Sequence, residues 1–305
     1  MNTIRGDNTA DPAPLGKVSS DIPFMFGMVF ISCLYMLLII GMLLADATFT
    51  SAEQLLESLN QPNIRFSIYL SLITCTITAI LSVIVAVPIG YLLSRYHFPF
   101  KNLCDAILDI PIVLPPLVIG LSLLILFNHV QIPGINKSIE ECFRWTFAWV
   151  SKINPDIEPG VTYKVPAVIL AQFMVACAFA VRTMRTTFDQ ISTRHEDVAL
   201  TLGCNRSQAF WNVVLPESWR GVIAAGTLAW ARSLGEFGPI LVFAGANPFR
   251  TEVLPTTVFL EISIGNIEGA VAVSLLMVFA AMVVLLIVRT LGLGSDMARI
   301  EGVVK

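Results

Sequence analysis

The chain contains several long uncharged apolar runs, and their length constrains the fold more than any other feature. An α-helix needs roughly 20 residues to cross the hydrocarbon core of a bilayer. Four runs reach this length directly, at residues 22–45, 66–94, 110–128 and 269–288. Because hydrophobic residues make up 55% of the 305 residues and charged residues only 13%, too little polar surface remains for a water-soluble domain. The sequence therefore predicts an α-helical membrane protein.

Two weaker candidates raise the expected number of spans to six. Residues 165–181 are slightly short, but this span extends if Lys164 and Arg182 reach the interfaces with their flexible side chains. Residues 219–246 are interrupted by Arg232 and Glu236. We therefore predict an all-α polytopic membrane protein. Its six transmembrane helices are expected at about 22–45, 66–94, 107–128, 165–184, 219–246 and 268–289.

The distribution of Lys and Arg residues predicts the side of the membrane that each loop occupies. The two tails and the loops after spans two and four hold twelve of them, the opposite side holds six, and Arg232 lies within a span. Since cytoplasmic loops carry the excess of basic residues, both termini are expected in the cytoplasm. Residues 1–21 are expected to be a disordered cytoplasmic tail and residues 291–305 a second cytoplasmic tail.

On this topology residues 129–164 form a long external loop. We treat residues 136–164 of this loop as an external insertion. The insertion carries Trp145 and Trp149. It could contact an external partner, or it could pack amphipathic residues on the lipid headgroups, and the sequence leaves both interpretations open.

The sequence lacks the motifs of the common catalytic and nucleotide-binding sites. There is no GxxxxGK[ST] motif, so the chain is not expected to bind ATP through a P-loop. His195-Glu196 begins like the zinc motif HExxH, but Ala199 stands where the second histidine is required. The six cysteines have no metal-ligand spacing, and a net charge of −3 offers no basic surface to nucleic acid. We expect a transporter or channel component with no catalytic residue, no metal and no cofactor of its own.

Residues 189–218, between the fourth and fifth spans, form the most informative loop of the chain. Thr193 and Glu196 fit a capping box, so a short helix is expected to begin just after Thr193. Gly203 stands where this helix must end, because glycine adopts the left-handed conformation without a Cβ clash. Asn205 and Gln208 repeat the start signal. The expected product is a helix, a glycine turn and a second helix on the cytoplasmic face.

A fixed spacing runs through this loop: Asp197-Val198-Ala199, three residues, Gly203, nine residues, Val213, one residue and Leu215-Pro216. It resembles the EAA loop of bacterial ABC importer membrane subunits, whose pattern is EAA, three residues, G, nine residues, I, one residue and LP. In that family the loop is the coupling helix that docks in a groove of the ATPase subunit. We call residues 189–218 the EAA-type loop; a polar connector with two amphipathic turns is the alternative. The resemblance implies that coupling to the ATPase involves Glu196, Asp197, Ala199, Gly203, Leu215 and Pro216.

Two membrane segments carry a further resemblance. They are residues 109–120, DIPIVLPPLVIG, and residues 231–238, ARSLGEFG, which are followed by RTEVLP at 250–255. Together with the EAA-type loop they are similar to the molybdate, tungstate and sulfate branch of the ABC importer permeases. The resemblance covers roughly residues 64–290.

This resemblance implies a type I ABC importer permease fold in a bacterial inner membrane. It also implies a homodimer in membrane lipid, an external solute-binding protein and two ABC ATPase subunits, which alone would bind ATP-Mg. Molybdate or tungstate is the first substrate expected, and sulfate or thiosulfate is the alternative. An ion-coupled secondary transporter that uses Arg232 and Glu236 is a rival interpretation from a different class.

The fifth span carries two opposite charges inside the membrane. Arg232 falls about twelve residues into the span, which at about 1.5 Å per residue is roughly 18 Å and hence near mid-bilayer. Glu236 follows one turn later, within reach of an ion pair. The pair could neutralise itself and fix helix packing, or it could line or gate a pathway in which the arginine meets an oxyanion. A third possibility is that Glu236 faces another subunit.

Proline and glycine residues weaken spans three and five at comparable depths. They are Pro111, Pro115 and Pro116 in span three and Gly235, Gly238 and Pro239 in span five. Such breaks are tolerated where protein or a cavity covers them, and they could form a hinged gate. Packing alone is the alternative, since both residue types are common in membrane helices. Asp109, near the mouth of span three, is expected to be a helix-start residue.

Overall fold

The computed structural model describes residues 22–131, 137–146 and 159–303, and these residues are helical apart from short connections. The predicted all-helical class is confirmed, and the described residues contain no β-strand. The tail 1–21 and much of the predicted external insertion, residues 147–158 included, lie outside the described residues. Among the described residues, the first seven helices are α1 Ile22–Phe49, α2 Ala52–Asn60, α3 Pro62–Arg95, α4 Lys101–Val113, α5 Pro116–Asn128, α6 Ile139–Thr146 and α7 Val165–Gln190.

The second half of the chain begins with the EAA-type loop. This loop holds α8 Thr193–Thr201, α9 Arg206–Ala209, a π-helical segment Phe210–Val214 and a last turn, α10 Leu215–Glu217. It is followed by α11 Trp219–Leu234, α12 Gly238–Phe243, α13 Leu254–Ser263 and α14 Ile267–Val303.

Four of the described helices are long and apolar enough to cross a membrane. They are Phe24–Phe49, Pro62–Arg95, Val165–Gln190 and Ile267–Leu286, and the bent pair α4 and α5 would make a fifth span. Helix α11, in the region expected to hold another span, has only 16 residues before it ends at Leu234. The count of six spans therefore stays a prediction.

The third predicted span is not one continuous helix. Helix α4 ends at Val113, α5 begins at Pro116, and the two helices are bent by 111°. Leu114 and Pro115 have extended backbones, since a residue that precedes proline is pushed out of the α region. The expectation for Asp109 was wrong, because α4 already begins at Lys101 and Asp109 lies inside it, 3.1 Å from Nη2 of Arg182.

The chain divides into two compact units, residues 1–48 and 49–305. In the first unit, the described side chains of α1 are largely exposed. In the second unit, α3 and α7 pack together along their length and α11 packs on both.

Small residues allow these three helices to approach closely. A Cβ atom on Gly90 of α3 would lie 2.9 Å from the backbone nitrogen of Arg185 in α7. Membrane helices pack through such small residues because lipid supplies no hydrophobic force between helices. The same interface buries Ala79, Ala86, Ala176, Ala180, Ala225 and Ala229.

Candidate functional site

Helix α8 of the EAA-type loop is capped by a different residue from the one predicted. Ser192 is the N-cap, and its Oγ accepts a hydrogen bond from the backbone nitrogen of Arg194 at 3.4 Å. Thr193 is the first helical residue, and the predicted capping box between Thr193 and Glu196 was wrong. The reason is that the carboxylate of Glu196 turns away from its own helix and is buried.

Glu196 binds the end of α3. Its Oε1 accepts a hydrogen bond from the hydroxyl of Tyr91, and its Oε2 lies 3.5 Å from Nε of Arg95. Arg95 also donates from Nη2 to the carbonyl of Ile191 at 2.9 Å. The ring of Tyr91 packs edge-on against Phe210, with centroids 4.7 Å apart. These contacts come from a segment about 100 residues away, which outweighs the local capping signal.

The turn after α8 forms as the sequence predicts. Gly203 has φ +95°, and its backbone nitrogen bonds the carbonyl of Leu200, while that of Cys204 bonds the carbonyl of Ala199. This pair of bonds is the Schellman motif that closes a helix with glycine. The second helix start is also confirmed, because Asn205 and Gln208 form a capping box with distances of 2.8 and 2.9 Å.

The second half of the loop is tied to the segment that follows α3. Arg206 donates from Nη1 to the hydroxyl of Tyr96 at 3.2 Å, and its guanidinium lies over the ring of Tyr96. The hydrogen bond to Tyr96 raises the pKa of Arg206. On the opposite flank, Nδ1 of His195 lies 2.9 Å from Oε2 of Glu217. The loop is therefore a folded unit.

The structure separates the six predicted coupling residues into two groups. Asp197, Gly203 and Pro216 are exposed, whereas Glu196 and Ala199 are buried and Leu215 is half-buried. Sequence reasoning missed the apolar residues that accompany the first group. Val198, Leu202 and Trp211 are exposed, Leu202 by 80%. Large exposed apolar side chains on one loop are typical of an interaction surface.

The ion pair expected in the fifth span is present. Nη1 of Arg232 lies 2.8 Å from Oε2 of Glu236, and the guanidinium lies over the ring of Phe179 in α7. Glu236 follows the end of α11 at Leu234. The side chain of Glu236 is 1% exposed, whereas that of Arg232 is 32% exposed, so only the cation faces outward.

Sequence reasoning missed a buried glutamine next to this pair. Gln172 of α7 donates from Nε2 to the carbonyl of Ser233 at 3.3 Å and accepts from the hydroxyl of Thr78 at 3.2 Å. It thereby joins α3, α7 and the end of α11. An isolated glutamine in an apolar run was the available signal, because a buried amide needs partners.

The two helix breaks lie against each other. A Cβ atom on Gly238 would lie 2.8 Å from Cβ of Pro116, and one on Gly120 would lie 2.8 Å from Cα of Pro239. Helices α5 and α12 thus meet where both contain glycine and proline. Gly235 is different, because a Cβ atom there would have nothing within 4 Å.

A cavity of about 300 Å³ opens beside α7 and α11. Phe179, over whose ring the Arg232 guanidinium lies, belongs to its wall, and so does Arg182, whereas Arg232 itself is not a lining residue. The other lining residues are Thr183, Thr186, Thr187, Gln190 and Leu228. In the described part of the chain, no group of three or more His, Cys, Asp or Glu residues could hold a metal ion.

The sequence profile of one protein family matches residues 86–293, which include the EAA-type loop, the ion pair and both helix breaks. This family is described as the binding-protein-dependent transport system inner membrane component. The chain belongs to this family.

Permeases of sulfate, molybdate and tungstate systems are similar to this permease over most of its length. The sulfate transport system permease protein CysT of Escherichia coli is 30% identical over 85% of this chain and 87% of its own. The molybdenum transport system permease protein ModB of Mycobacterium tuberculosis is 32% identical over 77% and 83%. The molybdate/tungstate transport system permease protein WtpB of Thermococcus kodakarensis is 29% identical over 64% and 67%.

Solved structures share the fold of the permease. A chain of a bacterial alginate ABC transporter in complex with its periplasmic protein has a TM-score of 0.63 at 14% identity, covering 88% of this chain and 92% of that one. A chain of the MetNI methionine ABC transporter has a TM-score of 0.52 at 17% identity, covering 75% and 94%. These likenesses establish an ABC importer permease fold and say nothing about the substrate.

Proposed function

We propose that the permease forms the transmembrane pathway of an ATP-driven importer for a tetrahedral oxyanion, with molybdate or tungstate as the substrate. The observation that carries this proposal is the similarity to permeases of those systems over most of the chain, at 32% identity for ModB and 29% for WtpB. None of these similarities supports the rival interpretation, an ion-coupled secondary transporter.

Sulfate or thiosulfate is the second candidate substrate. It is favoured by the similarity to CysT, which extends over 85% of the chain at 30% identity. Sulfate and molybdate are both tetrahedral dianions, so one pathway chemistry would serve either. The external binding protein is expected to make most of the distinction between them.

The EAA-type loop is proposed to couple the permease to separate ATPase subunits, which would bind ATP-Mg. Its docking surface would comprise the exposed Asp197, Gly203 and Pro216 together with Val198 and Leu202. The buried Glu196 and Ala199 and the half-buried Leu215 would support this surface from behind. The proposal is supported by the Schellman turn at Gly203, which holds the apolar and acidic groups on one folded unit.

Arg232 is proposed to meet the oxyanion as it passes. About a third of its side chain is exposed, its guanidinium lies over Phe179 in the wall of a cavity, and its carboxylate partner Glu236 is buried. A guanidinium makes strong charge-assisted hydrogen bonds to oxyanions. The self-neutralising pair that only fixes helix packing is the alternative. The gate is proposed at the two breaks that contain Pro115, Pro116, Gly235 and Gly238.

The assembly is proposed to be a homodimer with six spans per chain and both termini in the cytoplasm. A periplasmic binding protein would deliver the anion near the external loop 129–164, and the tails 1–21 and 291–305 would lie in the cytoplasm. Helix α14 continues to Val303 and so includes most of the second tail. Two chains would enclose one pathway, because the six helices expected in a single chain leave little room for it.

Reconstitution tests this proposal. The permease is placed in liposomes alone, with its ATPase subunits, and with the ATPase and the binding protein together. Labelled molybdate is expected to accumulate against its gradient only in the complete assembly with ATP, and unlabelled tungstate is expected to compete. Accumulation by the permease alone under an ion gradient would contradict the proposal, and uptake of sulfate without molybdate would favour the second candidate.

A further inference from the structure

The buried carboxylate of the EAA-type loop points away from the surface proposed for the ATPase. Asp197 is exposed, but its neighbour Glu196 has a side chain that is only 10% exposed and contacts the end of α3. Its partners are the hydroxyl of Tyr91 and the Nε atom of Arg95, whose side chain is 9% exposed. We call Tyr91, Arg95 and Glu196 the Glu196 anchor.

The anchor holds both halves of the loop. Arg95 binds Glu196 within α8 and also donates to the carbonyl of Ile191, the residue that follows the end of α7. The ring of Tyr91 packs against Phe210, at the start of the π-helical segment. The end of α3 therefore contacts the entry to the loop, its first helix and its second half at one point.

A displacement of α8 would have to move α3 or break this anchor. Breaking it would leave the buried carboxylate of Glu196 without a partner and the buried guanidinium of Arg95 without its counter-charge, which is far more costly than keeping the pair together. Moving α3 is the alternative, because Tyr91 and Arg95 lie in the last turns of this 34-residue helix. Helix α3 in turn contacts the backbone of α7 at Gly90, where a Cβ atom would lie 2.9 Å from Arg185.

We propose that Tyr91, Arg95 and Glu196 are positioning residues that transmit the movement of the EAA-type loop to α3. The loop is also connected to the membrane helices through the chain at its two ends, in α7 and α11, and through the hydrogen bond from Arg206 to Tyr96, just after α3. This inference rests on the proposed function, because it assumes that an ATPase moves the loop. It names the residues through which the loop would act on α3, a helix that does not flank the loop in the chain.

The test compares Glu196→Gln, Tyr91→Phe and Arg95→Gln with the wild-type permease, each assembled with the ATPase and the binding protein. Tyr91→Phe removes one hydroxyl and keeps the ring that packs on Phe210. Glu217→Gln is the matched control, because Glu217 is a more exposed carboxylate of the same loop, paired with His195. The measurements are co-purification of the ATPase, ATP hydrolysis, and anion uptake per ATP hydrolysed.

We expect each anchor variant to retain the ATPase and to hydrolyse ATP, while uptake per ATP falls about tenfold, the factor that corresponds to one lost hydrogen bond to a charged group. The Glu217→Gln control is expected to keep the wild-type ratio. The double variant Tyr91→Phe with Glu196→Gln should be no worse than Glu196→Gln alone, since both changes break the same anchor. A residue that only stabilised the fold would lower the amount of assembled complex without changing the ratio.

Normal uptake per ATP in Tyr91→Phe and Arg95→Gln would overturn the inference, even if Glu196→Gln failed to assemble. Loss of ATPase binding by Glu196→Gln with normal coupling in the other two variants would likewise assign Glu196 to the docking surface and overturn it. A wild-type permease that binds no ATPase would instead reject the proposed function itself, so the two failures are distinguishable.

Discussion

Arg232 and Glu236 share one ion pair of 2.8 Å, but their surroundings differ sharply. The carboxylate of Glu236 is almost completely buried, whereas about a third of the arginine side chain remains exposed. The arginine can therefore be stabilised by something other than its partner, and the glutamate cannot. This asymmetry distinguishes the two members of the pair experimentally.

Replacing the arginine is expected to destabilise the permease more than replacing the glutamate. Arg232→Gln leaves a buried carboxylate without a counter-charge, and such losses cost about 3–5 kcal/mol. Glu236→Gln leaves a partly exposed guanidinium that water or an anion can reach, so its cost should be clearly smaller. Apparent melting temperatures of the two variants in detergent measure the difference. Equal destabilisation would contradict the asymmetric burial.

The contact between the helix breaks predicts opposite outcomes for two nearby glycines. Gly238→Ala would place a Cβ atom 2.8 Å from Cβ of Pro116 and 3.1 Å from the backbone nitrogen of Leu117. Forcing atoms into a packed contact costs about 1–3 kcal/mol. We expect lower thermal stability and reduced uptake. Gly235→Ala, where a Cβ atom has open space, is the control for stability and should keep the wild-type melting temperature.

Local signals in the sequence predicted the parts of the site that depend on local chemistry. The turn at Gly203 and the capping box of Asn205 and Gln208 each involve residues within a few positions of one another. The ion pair of Arg232 and Glu236 is also local, at four residues. Such features need little knowledge of the rest of the fold.

Features that depend on distant segments were missed or mispredicted. Glu196 has the spacing of a capping residue, but its partners Tyr91 and Arg95 lie about 100 positions away. Pro115 and Pro116 predicted a weakened helix, whereas the size of the bend, 111°, also reflects how α5 packs against α12. Gln172 has partners in two other helices, and no local pattern identifies them.

The turn of the EAA-type loop gives a test of ATPase docking. Gly203 has φ +95°, which side chains other than glycine adopt with strain of about 1–3 kcal/mol, although the space around it is open. We expect Gly203→Trp to insert into the membrane but to lose association with the ATPase, because both the turn and the exposed surface change. Gly203→Asn, which tolerates positive φ better, should lose less. Normal co-purification of Gly203→Trp would count heavily against the coupling role of the loop.

A buried carboxylate outside the predicted spans should make stability depend on pH. Glu252 lies between α12 and α13, and only its Oε1 has a hydrogen-bond partner in the described structure, the hydroxyl of Thr257 at 3.0 Å. Burial raises the pKa of Glu252, the hydrogen bond from Thr257 opposes this, and the nearby Glu261 adds to it. The folded state therefore favours the protonated acid.

The sign of the effect follows from this raised pKa. The contribution of Glu252 to stability is fully present below the pKa of the unfolded chain and is lost as the pH rises through the folded pKa, by about 1.4 kcal/mol for each unit between the two. Glu252→Gln stays neutral and keeps an oxygen that can accept from Thr257. We expect the melting temperature of this variant, relative to the wild-type permease, to increase from about pH 4 to about pH 8. If the melting temperatures of the two proteins changed with pH in parallel, Glu252 would ionise as readily in the folded permease as in the unfolded chain, which would contradict this prediction.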